Sequence, residues 1–146
     1  MKRAAFTLVE LLIVVIILGI LAAVVIPQFS DASTDARLSS LQTNLATMRG
    51  QIELYKLQHG GTYPSLVNFV DAMTKKTDFD GTINATTGKY GPYMQSIPNN
   101  PFTNPPGNDV TAGAAAAAKA WFYDASNGTF RANDGGSTSG VAHDTY

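Results

Sequence analysis

The sequence predicts an α+β fold: one long N-terminal helix, apolar in its first half and amphipathic in its second, packed on a small antiparallel sheet. Three observations predict it. An apolar run extends from Phe6 to Ile26, broken by a single charge at Glu10. Leu38, Leu41, Leu45, Met48, Ile52 and Tyr55 then recur in steps of three and four, the spacing of one helical face. Finally Trp121-Phe122-Tyr123-Asp124 and Thr129-Phe130-Arg131-Ala132 flank Asn127-Gly128, a turn signal that joins antiparallel strands.

The apolar run comes first. From Leu11 to Ile26 it holds only Leu, Ile, Val, Ala and Gly19, and Phe6 to Ile26 makes 21 residues. About 20 residues of helix cross a bilayer, so this is a membrane segment. A buried core helix is a poor alternative, because the run is apolar all round and no second segment of its kind exists to bury it. A removable secretory signal accounts for Lys2 and Arg3 as its basic end, but not for so long an apolar region or for the acid within it. An ordinary single-pass anchor fits everything except Glu10. A carboxylate inside hydrocarbon is costly enough to mark a functional site with a partner.

Lys2-Arg3-Ala4-Ala5 followed by FTLVELLIVVIILGILAAVVIPQF closely resembles the prepilin-type cleavage and methylation segment of type IV pilins and type II secretion pseudopilins. The resemblance covers Lys2 to about Phe29: a short basic leader, Phe first in the mature chain, an acid four residues on and a proline closing the run. It implies a pilin-like fold and cutting between Ala5 and Phe6 by a prepilin peptidase, with N-methylation of the new amino group on Phe6. Ala5 stands where the family usually has Gly.

The resemblance also implies a partner for Glu10. In filaments of the family the acid of one subunit neutralises the N-terminal ammonium, here that of Phe6, of an adjacent one. Opposite charges gain far more from pairing in low dielectric than in water, so Glu10 is expected to set the stagger between subunits. Gly19 and Pro27 punctuate the same helix. Proline inside a helix removes a hydrogen bond and clashes with the carbonyl four residues back, here Ala23, so Pro27 either kinks the helix or ends it at the membrane surface. Family filaments lose helicity between such positions, and Gly19 weakens the helix by about 1 kcal/mol relative to Ala.

Four segments are expected: residues 1–5 as a cleaved leader, 6–27 as the membrane and assembly helix, 28–59 as its amphipathic continuation and 60–146 as a globular region. Helix from Phe6 to Gln58 would be about 80 Å long, with His59-Gly60-Gly61 as its stop. The stripe lasts under three heptads, so it is a spine for the following region rather than a coiled coil. Roughly 85 residues make a small core, so spine and cover form one cooperative unit. Ser65 is placed as N-cap of a short helix carrying Leu66, Val67, Phe69, Val70 and Met73. The prolines in Ile97-Pro98-Asn99-Asn100-Pro101-Phe102 exclude a central strand and leave an extended edge. Ala114 to Ala118 is marginally helical, and the Gly, Ser and Thr-rich tail from Asn133 reads as an ordered loop or a frayed end.

IELYKLQHGGTYPS, YGPYMQSIPNNPF and WFYDASNGTFRAND resemble stretches of the major, G-type secretion pseudopilins. That class binds calcium in its C-terminal loop. Asp134, Ser137 and Asp144 are the candidates here, but DGGSTSGVAHD does not match the family loop and the residues read as solvated. No catalytic constellation is evident: the chain has no cysteine, and His59 and His143 fall in expected loops as solvated side chains. Ten basic residues face 11 acidic ones, and loss of Lys2 and Arg3 leaves 8 against 11, or −3. Such a balance offers nucleic acid no basic footprint. Asn84-Ala-Thr and Asn127-Gly-Thr fit a glycosylation sequon and read as turns. The resemblance therefore implies a non-enzymatic subunit of the bacterial inner membrane, single-pass with its globular region in the periplasm. Its expected partners are copies of itself, minor pseudopilins or pilins, the prepilin peptidase, an inner-membrane assembly platform, and lipid before assembly. A type IV pilus subunit and a monomeric anchored binding module are the alternatives.

Overall fold

A computed structural model describes residues 6–112 and 119–146. The chain divides into two units with the boundary between Ala36 and Arg37. Helix α1 spans Leu8–Gln58, 51 residues. Within the first unit every large apolar side chain from Leu8 to Ile26 is exposed. Helix α1 continues through Gly19 and Pro27, so it does not end at Pro27. One missing N–H costs about 3 kcal/mol locally, and helix on both sides outweighs it.

In the second unit the stripe on α1 is the floor of the core. Leu41, Leu45, Met48, Ile52 and Tyr55 are all buried, as read from their spacing. Leu41, Leu45, Met48 and Ile52 pack with Phe69 and Met73 of α2 (Phe69–Thr74), and with Trp121, Tyr123, Phe130 and Ala132 of the sheet. Helix α2 starts later than Ser65 predicts. Its N-cap is Asn68, which makes no side-chain capping bond, and Ser65 lies just ahead of the turn that the Phe69 N–H closes onto the Leu66 carbonyl. On α2 itself Phe69, Ala72 and Met73 are buried, whereas Val70 is exposed.

The sheet has three strands in the order β1 (Val110–Thr111), β2 (Trp121–Asp124), β3 (Thr129–Ala132). The hairpin is as predicted, with Trp121 opposite Ala132 and Asp124 opposite Thr129. Alternation puts Trp121 and Tyr123 of β2, and Phe130 and Ala132 of β3, on the core face. Their polar ends are satisfied: Trp121 Nε1 donates to the Pro98 carbonyl at 2.8 Å and the Tyr123 hydroxyl to the Pro64 carbonyl at 2.8 Å. Burial pushes the Tyr123 hydroxyl well above the usual phenol range. At the hairpin mouth the Ser126 hydroxyl and N–H hold the Asp124 carboxyl below the usual range. Because Trp121 is fully buried, Trp121→Ala should cost about 3 to 5 kcal/mol, read as a lowered urea unfolding midpoint.

The sheet is mixed, which corrects the antiparallel expectation. Strand β1 runs parallel to β2, pairing Val110 with Trp121 and Thr111 with Phe122. Asp109 sets this up: its carbonyl accepts from Trp121 N, its Oδ1 accepts from Ala120 N, and its Oδ2 pairs with Lys119 at 3.2 Å. Gly128 sits at φ +75°, and a Cβ there would lie 2.2 Å from Tyr63 Cε1. Gly128→Ala should therefore lower stability by more than the roughly 1 kcal/mol of backbone strain alone, again visible in the unfolding midpoint.

The Gly88 to Phe102 stretch forms no strand. It is pinned instead by a bridge from Thr77 to Tyr90, by bonds from the Tyr93 and Met94 N–H groups to the Met73 carbonyl, and by a bridge from Asn100 to Gly107. The tail is ordered: β4 (Ser137–Thr138) and β5 (Val141–Ala142) pair antiparallel, and a 3-10 turn covers His143–Thr145. The helical expectation for Ala114 to Ala118 lies outside the described residues.

Candidate functional site: the assembly segment and the tail lock

The first turn of α1 carries Glu10. Its Oε2 accepts the Thr7 N–H at 2.8 Å and the Thr7 hydroxyl at 2.8 Å, while the Glu10 N–H donates to Thr7 Oγ1 at 3.2 Å. This is a capping box: the hydroxyl at the helix start and the acid three residues on satisfy each other's backbone donors. Thr7-Leu8-Val9-Glu10 carries the pattern in the sequence, and Thr7 is the residue that reading Glu10 only as a charge misses. In the uncut chain the Phe6 nitrogen is a peptide nitrogen, so no ammonium is present for Glu10 to meet. Glu10 is exposed, and its Oε1 accepts no bond among the described residues. It is thus a carboxylate half engaged with its own helix and half open to a neighbour.

Apart from Thr7 and Glu10, the segment from Phe6 to Ile26 has no polar side chain. Phe6 is 76 % exposed and, Glu10 apart, the exposed side chains from Leu8 to Ile26 are hydrocarbon. Gly19 has open space where a Cβ would stand. The helix is long and apolar enough to cross a membrane. Lys2, Arg3 and Ala5 lie outside the described residues.

Both histidines are buried, against the reading of them as solvated. His59 is 4 % exposed and continues the α1 stripe one step beyond Tyr55. Its ring stacks on Tyr55 at 3.7 Å; Nδ1 lies 2.7 Å from the Tyr55 carbonyl and Nε2 3.0 Å from Thr77 Oγ1. A carbonyl only accepts, so Nδ1 carries the proton. His143 is 2 % exposed, with Nδ1 2.7 Å from Asp134 Oδ1 and Nε2 2.8 Å from Thr138 Oγ1.

The three tail candidates for calcium differ in burial and engagement. Asp134 is buried and its oxygens are taken: Oδ1 by His143 and the Gly136 N–H, Oδ2 by the Asn100 amide at 2.7 Å. Ser137 and Asp144 are exposed. Calcium takes six to eight oxygens, and this donor set does not fit it. Among the described residues no three His, Cys, Asp or Glu side chains gather to hold a metal. Asp134 is instead the hub of a lock joining the Asn100 loop, the β4 hairpin and the last turn.

Residues 1–26 match the model of the prokaryotic N-terminal methylation motif. The helix start and this motif together define a prepilin-type membrane subunit. The chain is 31 % identical over 104 residues to the type II secretion system core protein G of Pseudomonas aeruginosa, covering 71 % of each chain. To the protein of the same name from Aeromonas hydrophila it is 27 % identical over 104 residues, again 71 % of each. The chain belongs to the type II secretion system core protein G family. It is also 34 % identical over 61 residues to the type IV narrow pilus major component PilA5 of Thermus thermophilus, which covers 42 % of this chain and 53 % of that one. No solved structure matches it.

Proposed function

We propose that this chain is the major structural subunit of a type II secretion pseudopilus, a non-catalytic protein that leaves the inner membrane to polymerise in the periplasm. The observation that carries the reading is an exposed 19-residue apolar surface, Leu8 to Ile26, holding one half-engaged carboxylate. Cutting between Ala5 and Phe6 and methylating Phe6 creates a cation beside the apolar surface. Glu10 of one copy then accepts the Phe6 ammonium of the next, replacing lipid by neighbouring helices. Lys2 and Arg3 keep the leader cytoplasmic, where the prepilin peptidase removes it. Extraction by the inner-membrane platform lengthens the subunit, and the stretch from Gly19 to Pro27 is where α1 gives way. Growth of the filament, with minor pseudopilins, pushes folded proteins through the outer membrane. No calcium and no nucleic acid take part. Calorimetric titration of calcium into the cleaved chain is expected to give no binding heat, and a saturable one would restore the tail as a metal site.

The function has a direct test. A clean deletion should leave exported proteins in the periplasm, with release restored by the wild-type gene. Membrane-extracted chain should have lost Met1 to Ala5 and gained one methyl by mass. The similarity to PilA5 favours the second reading, a type IV pilus subunit, over a monomeric anchor. Unchanged secretion with loss of surface filaments would select that reading.

A further inference from the structure

Between Glu10 and Arg49, helix α1 carries only three charged residues, Asp31, Asp35 and Arg37. All three are exposed. None makes an ion pair or hydrogen bond among the described residues. Asp31 and Asp35 are four apart, so they share a helix face and repel each other. Arg37 cannot relieve them, because residues two apart on a helix do not face one another. Two acids and one base are thus left side by side in sequence without a partner in their own chain.

We infer that a second copy of this chain supplies the partner, and that Arg37 of one subunit docks between Asp31 and Asp35 of its neighbour. The inference rests on the proposed filament and its Phe6 to Glu10 pairing. That pairing slides one copy four residues along α1, about 6 Å, so that its Phe6 is level with the neighbour's Glu10. The same slide brings its Asp31 and Asp35 level with residues 35 and 39 of the neighbour. The neighbour's Arg37 then falls midway, about 3 Å along the axis from each. Sliding the copy the other way would place its acids level with residues 27 and 31, about 15 Å and 9 Å from that Arg37. The two charge pairs therefore demand one stagger of one sense. The acids and the ammonium come from the same copy, and Glu10 and Arg37 from the other. The second pair lies well along the helix from the first, so the two also fix parallel alignment.

Co-expression tests this. In cells lacking the native gene, Arg37→Asp alone and Asp31→Arg with Asp35→Arg alone each put like charges together, and the fraction of subunit sedimenting as filament should fall about tenfold. Expressed together, the two variants offer each other opposite charges in both directions, and mixed filaments should return to within about threefold of wild type. Arg37→Lys should assemble normally. Arg37→Asp assembling like wild type, or a mixture no better than either variant alone, would overturn the docking. Failure of the wild-type chain itself to form filaments would instead remove the filament reading.

Discussion

Asp134→Ala should loosen the tail and cost about 3 kcal/mol or more, because it removes one acceptor shared by three donors. The side chains of His143 and Asp134 are only 3 % and 2 % exposed, so water cannot replace the lost acceptor. Three donors lose it together: His143 Nδ1, the Gly136 N–H and one of the two bonds of the Asn100 amide, whose other goes to the Ala120 carbonyl. Each orphaned buried donor costs about 1 to 3 kcal/mol. His143→Ala should cost less, because Asp134 keeps Asn100 and Gly136. Limited proteolysis of the cleaved chain in detergent should cut Asp134→Ala first between residues 133 and 146, with the urea midpoint lowered. An unchanged midpoint would mean that the tail is held by its apolar contacts, Phe102 against the His143 ring at 4.0 Å among them, and not by the carboxylate.

What could be read ahead of the structure follows from distance along the chain. The stripe from Leu41 to Tyr55 and the hairpin about Asn127-Gly128 obey short periods, so a window of a dozen residues contains them. Strand β1 is two residues long and pairs with a segment eleven residues on, and no period reveals it. The histidines misled for the same reason. His59 meets Thr77 and His143 meets Asp134, partners 18 and 9 residues away, whereas composition alone places a lone histidine near glycines in solvent. His59 had a local clue, since four residues after Tyr55 is the next position of the buried stripe. Glu10 stands out in the sequence because a charge in hydrocarbon is conspicuous. Thr7 does not, because a hydroxyl at a helix start is common.

Glu10→Gln should separate the two duties of that residue. Glutamine at the third helical position still completes a capping box with Thr7, so the start of α1 should persist, and with it membrane residence. What disappears is the negative charge, and with it the only group on the Leu8 to Ile26 surface able to neutralise a neighbour's ammonium. An unpaired ammonium among packed apolar helices costs about 3 to 5 kcal/mol. Each 1.4 kcal/mol is a factor of ten, so polymerised subunit should fall at least a hundredfold while the membrane pool and Phe6 methylation stay near wild type. Glu10→Ala removes the cap as well, which adds about 1 kcal/mol of fraying but little further loss of filament, since the charge is already gone. The comparison decides between the roles. If Glu10→Gln polymerises like wild type and only Glu10→Ala fails, Glu10 serves its own helix and the stagger between subunits must be set elsewhere.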